Sequence, residues 1–226
     1  MKSYALFGAA AFITSTASAV VTGLSTDVVY HAASNRTVCS VYVLSSGPVG
    51  GLHDVMLNMI GHQVIAGNTN LVVHTDSFLN DADEAVGHWN ASYTSASTAA
   101  TSNQFKDSYV TITGKTGASS STSLDPSFGS GMNDPANPAI PAAAGWYTAN
   151  PAVDILITGG KIKVMQIAFA GNITSFQYTG KMSVGYKLQG TTTPLYAMNL
   201  TYSLVPAPGA LALLGFAGLC SRRRRA

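Results

Sequence analysis

Apolar and polar residues alternate with a period of two through much of the chain. Met182, Val184, Tyr186 and Leu188 alternate with Lys181, Ser183, Gly185 and Lys187, which predicts a half-buried strand. Tyr196, Met198, Leu200, Tyr202 and Leu204 alternate with Ala197, Asn199, Thr201 and Ser203 and predict a second. Val153–Thr158 and Lys161–Phe169 flank Gly159-Gly160. Two glycines between β-rich runs predict a hairpin, because both turn residues need a positive φ. Within the second run the apolar phase switches: Ile162 and Val164 share one face, then Met165, Ile167 and Phe169 take the other. A bulge near Val164–Met165 accounts for that switch.

Five earlier runs are also strand-like: Val20–His31, Thr37–Ser45, Asp54–Ile60, Leu71–Thr75 and Asp107–Thr113. About nine or ten strands with one-face alternation predict a mainly β protein, a single antiparallel β-sandwich or jelly roll over residues 20–204. Helix is scarce. Asp81–Trp89 is long enough for two turns, with Asn80 as N-cap. Residues 90–102 and 117–144 are rich in Ser, Thr, Ala, Gly and Pro and read as long loops.

Both ends break the β pattern. Met1 and Lys2 form a short positive start, Tyr4–Ile13 is an apolar run, and Ala17-Ser18-Ala19 follows. Signal peptidase needs small side chains at the first and third positions before its cut, and Ala19 and Ala17 supply them. Residues 1–19 are therefore expected to be a signal helix, removed after Ala19. At the other end, Val205-Pro206-Ala207-Pro208-Gly209 precedes an apolar run from Ala210 to Cys220, then Ser221 and Arg222, Arg223, Arg224 and Arg225. The prolines isolate this tail from the body. The apolar run falls short of the roughly 20 residues of a stable span. The arginine block is expected to halt translocation on the cytoplasmic side. The result is a short, transient membrane helix with the body outside.

The order of Pro-containing motif, apolar helix and arginine cluster over Val205–Ala226 resembles the PEP-CTERM sorting signal of exported bacterial proteins. The resemblance implies processing by an exosortase-like membrane enzyme near the Pro motif. It further implies release, or attachment to the cell surface or to extracellular polymer. Ala207 stands where the commonest motif has Glu. Asp107–Thr113, Gly145–Pro151 and Lys161–Phe169 are similar, more loosely, to segments of uncharacterised exported proteins with the same tail. That likeness brings no active site.

Composition agrees with export. Charged residues make up only 10%, against about 25% in an average soluble domain. The formal charge of +2 is carried by the ends. Without Lys2 and the four terminal arginines, seven basic residues face ten acidic ones and the body is near −3. No basic patch is left for nucleic acid. Outside the tail's Cys220 the only cysteine is Cys39, in an apolar run, so the body has no internal disulfide.

Sequence motifs offer little chemistry. Gly114-Lys115-Thr116 imitates the end of a phosphate-binding loop, but the glycine expected at 109 is Tyr109. Phe128-Gly129-Ser130-Gly131 is not a nucleophile elbow. His31, His53, His62, His74 and His88 lack zinc-ligand spacing, and on a strand His53 and Asp54 would face opposite sides. Asp81, Asp83 and Glu84 read as a solvated helix start, without the glycine and distal glutamate of a calcium loop. Trp89, Trp146 and Tyr147 are the candidates for a sugar-stacking platform, weighed against a core role. Thr111-x-Thr113 and Thr191–Thr193 are too isolated for an ice-binding array.

The expectation is an exported cell-surface or extracellular-matrix protein of structural or adhesive, non-enzymatic role, without cofactor or metal. Its expected partners are signal peptidase, an exosortase-like enzyme, the membrane through its tail, and extracellular polysaccharide. The alternatives are a secreted carbohydrate-binding module and a secreted hydrolase with its site dispersed over loops.

Overall fold

The computed structural model describes residues 20–67, 72–73, 89–90, 108–115, 120–128, 140–150, 152–173 and 178–204. The expected signal helix, the tail from Val205 onward, Asp81–Glu84, His74 and His88 lie outside the described residues. Among the described residues no helix is long and apolar enough to cross a membrane.

The protein is mainly β. Its strands are β1 (Val21–His31), β2 (Arg36–Ser45), β3 (Asp54–Ala66), β4 (Val72–Val73), β5 (Tyr109–Val110), β6 (Thr122–Leu124), β7 (Ala144–Thr148), β8 (Ile155–Leu156), β9 (Lys161–Ala170), β10 (Tyr178–Leu188) and β11 (Leu195–Leu204). One sheet runs β1-β2-β9-β4, with β5 also on β9; the other runs β11-β10-β3-β7-β6, with β8 on β3. Among the described residues every pairing between these strands is antiparallel, and Asn90 adds a single parallel bridge to Val110. Inward residues of both sheets, among them Val41, Met165, Ile167, Met59, Trp146 and Val184, form one core. Each such side chain contributes roughly 1.5–3 kcal/mol on burial. That is why alternation along the strands decides which face turns inward. At one edge the sheets are tied by the Thr26 hydroxyl, which donates to the Ser203 carbonyl over 2.9 Å.

The expected bulge in β9 is present. Val41 pairs with Met165 and Tyr42 with Lys163, so Val164 is the extra residue. It brings Val164 and Met165 to the core together, and both are fully buried. A second bulge corrects the reading of β11. Met182 pairs with Leu200 but Val184 with Ala197, and Asn199 takes a left-handed φ of 54°. Its N–H is satisfied by the Ser183 hydroxyl at 3.0 Å. Leu200, Tyr202 and Leu204 stay on the inner face, whereas Tyr196 and Met198 are thrown outward, 54% and 60% exposed.

The Gly159-Gly160 hairpin is also corrected. Both glycines have positive φ, 70° and 78°, but the strands they join lie in different sheets. Val55 pairs with Leu156, while Val43 pairs with Ile162. The turn therefore carries the chain from one sheet to the other. β3 runs past Ile60 to Ala66 because a bulge at Gly61, φ 65°, re-phases the strand without ending it. β6 lies within the stretch 117–144 expected to be loop. The expected strand Val153–Thr158 shrinks to the two-residue ladder of β8, while the described parts of Leu71–Thr75 and Asp107–Thr113 include the ladders β4 and β5.

Candidate functional site

Residues 111–115 turn away from β5 and lie against the start of β9. Threonines fix that turn. The Thr111 hydroxyl donates to the Lys115 carbonyl at 2.9 Å, and the Thr113 hydroxyl donates to the Ser120 carbonyl at 2.9 Å. The Ile112 N–H donates to the Thr122 hydroxyl at 3.0 Å. Gly114 takes a left-handed φ of 72°, and a Cβ there would be in ordinary contact with Lys163 at 3.6 Å. The Thr111-x-Thr113 pair is thus a structural staple.

Between this turn, the segment 148–158 and the first residues of β9 lies a cleft of about 510 Å³. That volume is in the range of small-ligand sites. Thr113, Ser121, Thr148, Asn150 and Thr158 supply hydroxyl and amide groups, and Val153, Ile155, Leu156 and Ile162 supply apolar wall. Asp154, Lys115, Lys161 and Lys163 are its charged residues.

Two of these charges are committed elsewhere. Lys161 pairs with Asp27 at 3.3 Å and caps the Tyr42 ring at 4.4 Å from its centroid. Asp154 pairs with Lys187 at 3.0 Å. Lys163 is different. Its ammonium donates to the Tyr109 hydroxyl at 3.0 Å and to Gln166 Oε1 at 2.5 Å, both neutral acceptors. Burial lowers its pKa to about 8. Among the described residues no carboxylate faces it within ion-pair distance. Lys115, which also lines the cleft, is exposed. The local charge is therefore net positive in a body that is net acidic.

The sugar-platform candidates divide. Trp89 and Trp146 are core residues, only 4% and 1% exposed. Trp146 Nε1 donates to the Thr111 carbonyl at 3.2 Å, which helps hold the cleft wall. Tyr147, the next residue on β7, points outward and is 44% exposed. Cys39 is buried in the core, and burial pushes its thiol up to about 12, so it is no nucleophile.

Among the described residues, His53 and His62 do not converge. His53 and His62 are nine residues apart along β3, on the order of 25–30 Å at ~3.3 Å per residue. His53 Nδ1 lies 3.2 Å from the Ile157 carbonyl. Asp54 is fully buried, and its Oδ2 accepts the Ser45 hydroxyl at 2.7 Å while Oδ1 has no partner. Burial raises the Asp54 pKa against the lowering effects of Ser45 and His53. No hydrogen bond joins His53 to Asp54, so Ser45, Asp54 and His53 form no relay. Among the described residues no group of three His, Cys, Asp or Glu could hold a metal.

Sequence reasoning missed the cleft. Lys161 and Lys163 were visible only as a Lys-x-Lys start to a strand, and Lys115 as the remnant of a phosphate-loop imitation. Comparison with protein-family models, with curated proteins and with solved structures finds no match.

Proposed function

We propose that the chain is an exported, non-enzymatic cell-surface or matrix protein whose working part is a β-sandwich body over residues 20–204. Ala17 and Ala19 mark the cut that frees its N-terminus. Val205–Gly209 with Arg222–Arg225 form a PEP-CTERM-like sorting label read by an exosortase-type enzyme. The reading is supported by one coincidence above all. The sheets start at Val21, two residues after the expected cut, and the last strand ends at Leu204, next to the Pro motif. Low charge and the absence of a Ser–His–carboxylate relay among the described residues support a binding or structural role over hydrolysis.

Mass spectrometry of culture medium, envelope and cytosol tests this. The expected product begins at Val20 in the envelope or medium. An Ala17→Arg variant should retain its leader, and deleting Arg222–Arg225 should shift the protein between fractions. A dominant cytosolic species that keeps Met1 and the terminal arginines overturns the reading.

A further inference from the structure

Among the described residues Lys163 has no acidic partner. An ammonium removed from water is costly unless a counter-charge sits beside it. Its two protein partners, Tyr109 and Gln166, are neutral. The nearest acids along the same rim are already paired, Asp27 with Lys161 and Asp154 with Lys187. Of the three ammonium protons, two are engaged by described residues. The residue lines a cleft of about 510 Å³, where Lys115 is, among the described residues, the other cation outside an ion pair.

The geometry points to this cleft as a binding site for a carboxylate-bearing saccharide, a uronate unit of an acidic polysaccharide, with Lys163 and Lys115 as the cations that meet the carboxylate. The saccharide part follows from the rest of the lining. Thr113, Ser121, Thr148 and Asn150 offer hydroxyl and amide partners for sugar hydroxyls, and Val153 and Ile162 offer apolar surface to the C–H face of a ring. The single-charge part follows from what holds the anion. The lining has no arginine fork and no α-helix N-terminus, the groups that favour phosphate. Two point charges suit one carboxylate. A ligand carboxylate would also supply the counter-charge that no described residue gives Lys163.

The identity of the polymer as extracellular rests on the proposed export; the site does not. The test uses the purified full-length protein and calorimetric titration with oligouronates, a neutral gluco-oligosaccharide of equal length, acetate and inorganic phosphate. The expected result is binding of the oligouronate alone, weakened by added salt. Lys115→Ala and Lys163→Met each weaken it at least tenfold, while Lys181→Ala on the other sheet leaves it unchanged. Lys115 is exposed and its variant should fold, so the outcome does not depend on Lys163→Met being soluble. Equal binding of phosphate or acetate would reduce the site to a small-anion pocket and overturn the saccharide assignment. Binding of the neutral sugar as tightly, no oligouronate binding, or binding indifferent to both lysines would overturn it outright. Failure here with correct export leaves the proposed function standing, and binding by a protein found only in the cytosol removes the export reading alone.

Discussion

His62 Nε2 lies 2.8 Å from the Tyr202 hydroxyl, a contact that joins β3 to β11 across 140 residues of chain. The two strands are not neighbours, since β10 lies between them. The bond therefore passes over the inner face of β10. Gly180 on β10 makes room for it: a Cβ there would collide with the Tyr202 hydroxyl and ring. The His62 ring is fully buried, stacked on Tyr202 at 6.1 Å and tilted against Trp146 at 6.4 Å.

Burial holds His62 neutral by lowering its pKa from 6.5 to about 4. An unfolded chain takes up the proton near pH 6.5, whereas the folded chain does so only near 4. Stability contributed by the neutral ring is thus full above pH 6.5 and is lost as pH falls toward 4. At roughly 1.4 kcal/mol for each pH unit of displacement, the loss is about 3 kcal/mol. Urea unfolding at pH 7 and pH 4 should show it. His62→Gln, which titrates in neither state there, should lose about that much less than the wild type over the same interval. Parallel curves for the two proteins would refute the assignment.

Gly180→Ala should cost about 1–3 kcal/mol, the usual penalty for forcing atoms into a filled core. Tyr202→Phe should cost about 1–3 kcal/mol by leaving both ring nitrogens of His62 without partners, since Nδ1 has none to begin with. Because the Gly180 methyl would press on the Tyr202 hydroxyl, the two losses should be less than additive in a double-mutant cycle. Strict additivity would mean that Gly180 and Tyr202 do not share this space.

The sequence was legible where apolar spacing has only one explanation. β10 read correctly because Met182, Val184 and Tyr186 keep step without interruption and are all buried. β9 read correctly, bulge included, because its phase change falls between two large residues, Val164 and Met165. The bulge in β11 was invisible for the opposite reason. Tyr196 and Met198 are apolar, so they extend the pattern of Leu200 and Tyr202 although they face water, and the residue that replaces them inside is the small Ala197. Gly159-Gly160 reveals torsions but not partners: the positive φ values were predictable, the change of sheet was not. The cleft was beyond reach for a related reason. Lys115, Asn150 and Lys163 are brought together by sheet topology, and no local spacing encodes that.

Asp54 gives a prediction of the opposite sign to His62. Its carboxylate is raised by burial, and Oδ1 has no partner. The folded protein therefore holds this proton more tightly than the unfolded chain. Stability from Asp54 is fully present below the ordinary carboxylate range and is lost as pH rises through its raised folded value. Asp54→Asn, which stays neutral and can keep the Ser45 contact, should raise Tm at pH 7. The gain should vanish in acid, where the wild-type carboxyl is protonated in both states. A lower Tm for the variant at pH 7 would show that the charge is compensated.

Lys163 should be a cost to the unliganded fold. Burial lowers its pKa from 10.5 to about 8, so at neutral pH the folded protein carries an ammonium that is held less favourably than in the unfolded chain. At roughly 1.4 kcal/mol for each pH unit the burden is about 3 kcal/mol. Lys163→Met keeps the length of the side chain and removes the charge, but it also withdraws a donor from buried Tyr109 and Gln166. The net gain should be about 1–2 kcal/mol at pH 7. The wild type regains stability as pH rises from about 8 toward 10.5, because the folded chain releases the proton first, so the advantage of the variant should shrink across that interval. Thermal unfolding of both proteins at pH 7 and pH 10 decides the matter. If Lys163→Met is less stable at pH 7, or if the difference ignores pH, then the ammonium is already compensated in the fold, and the cleft has no need of an anion.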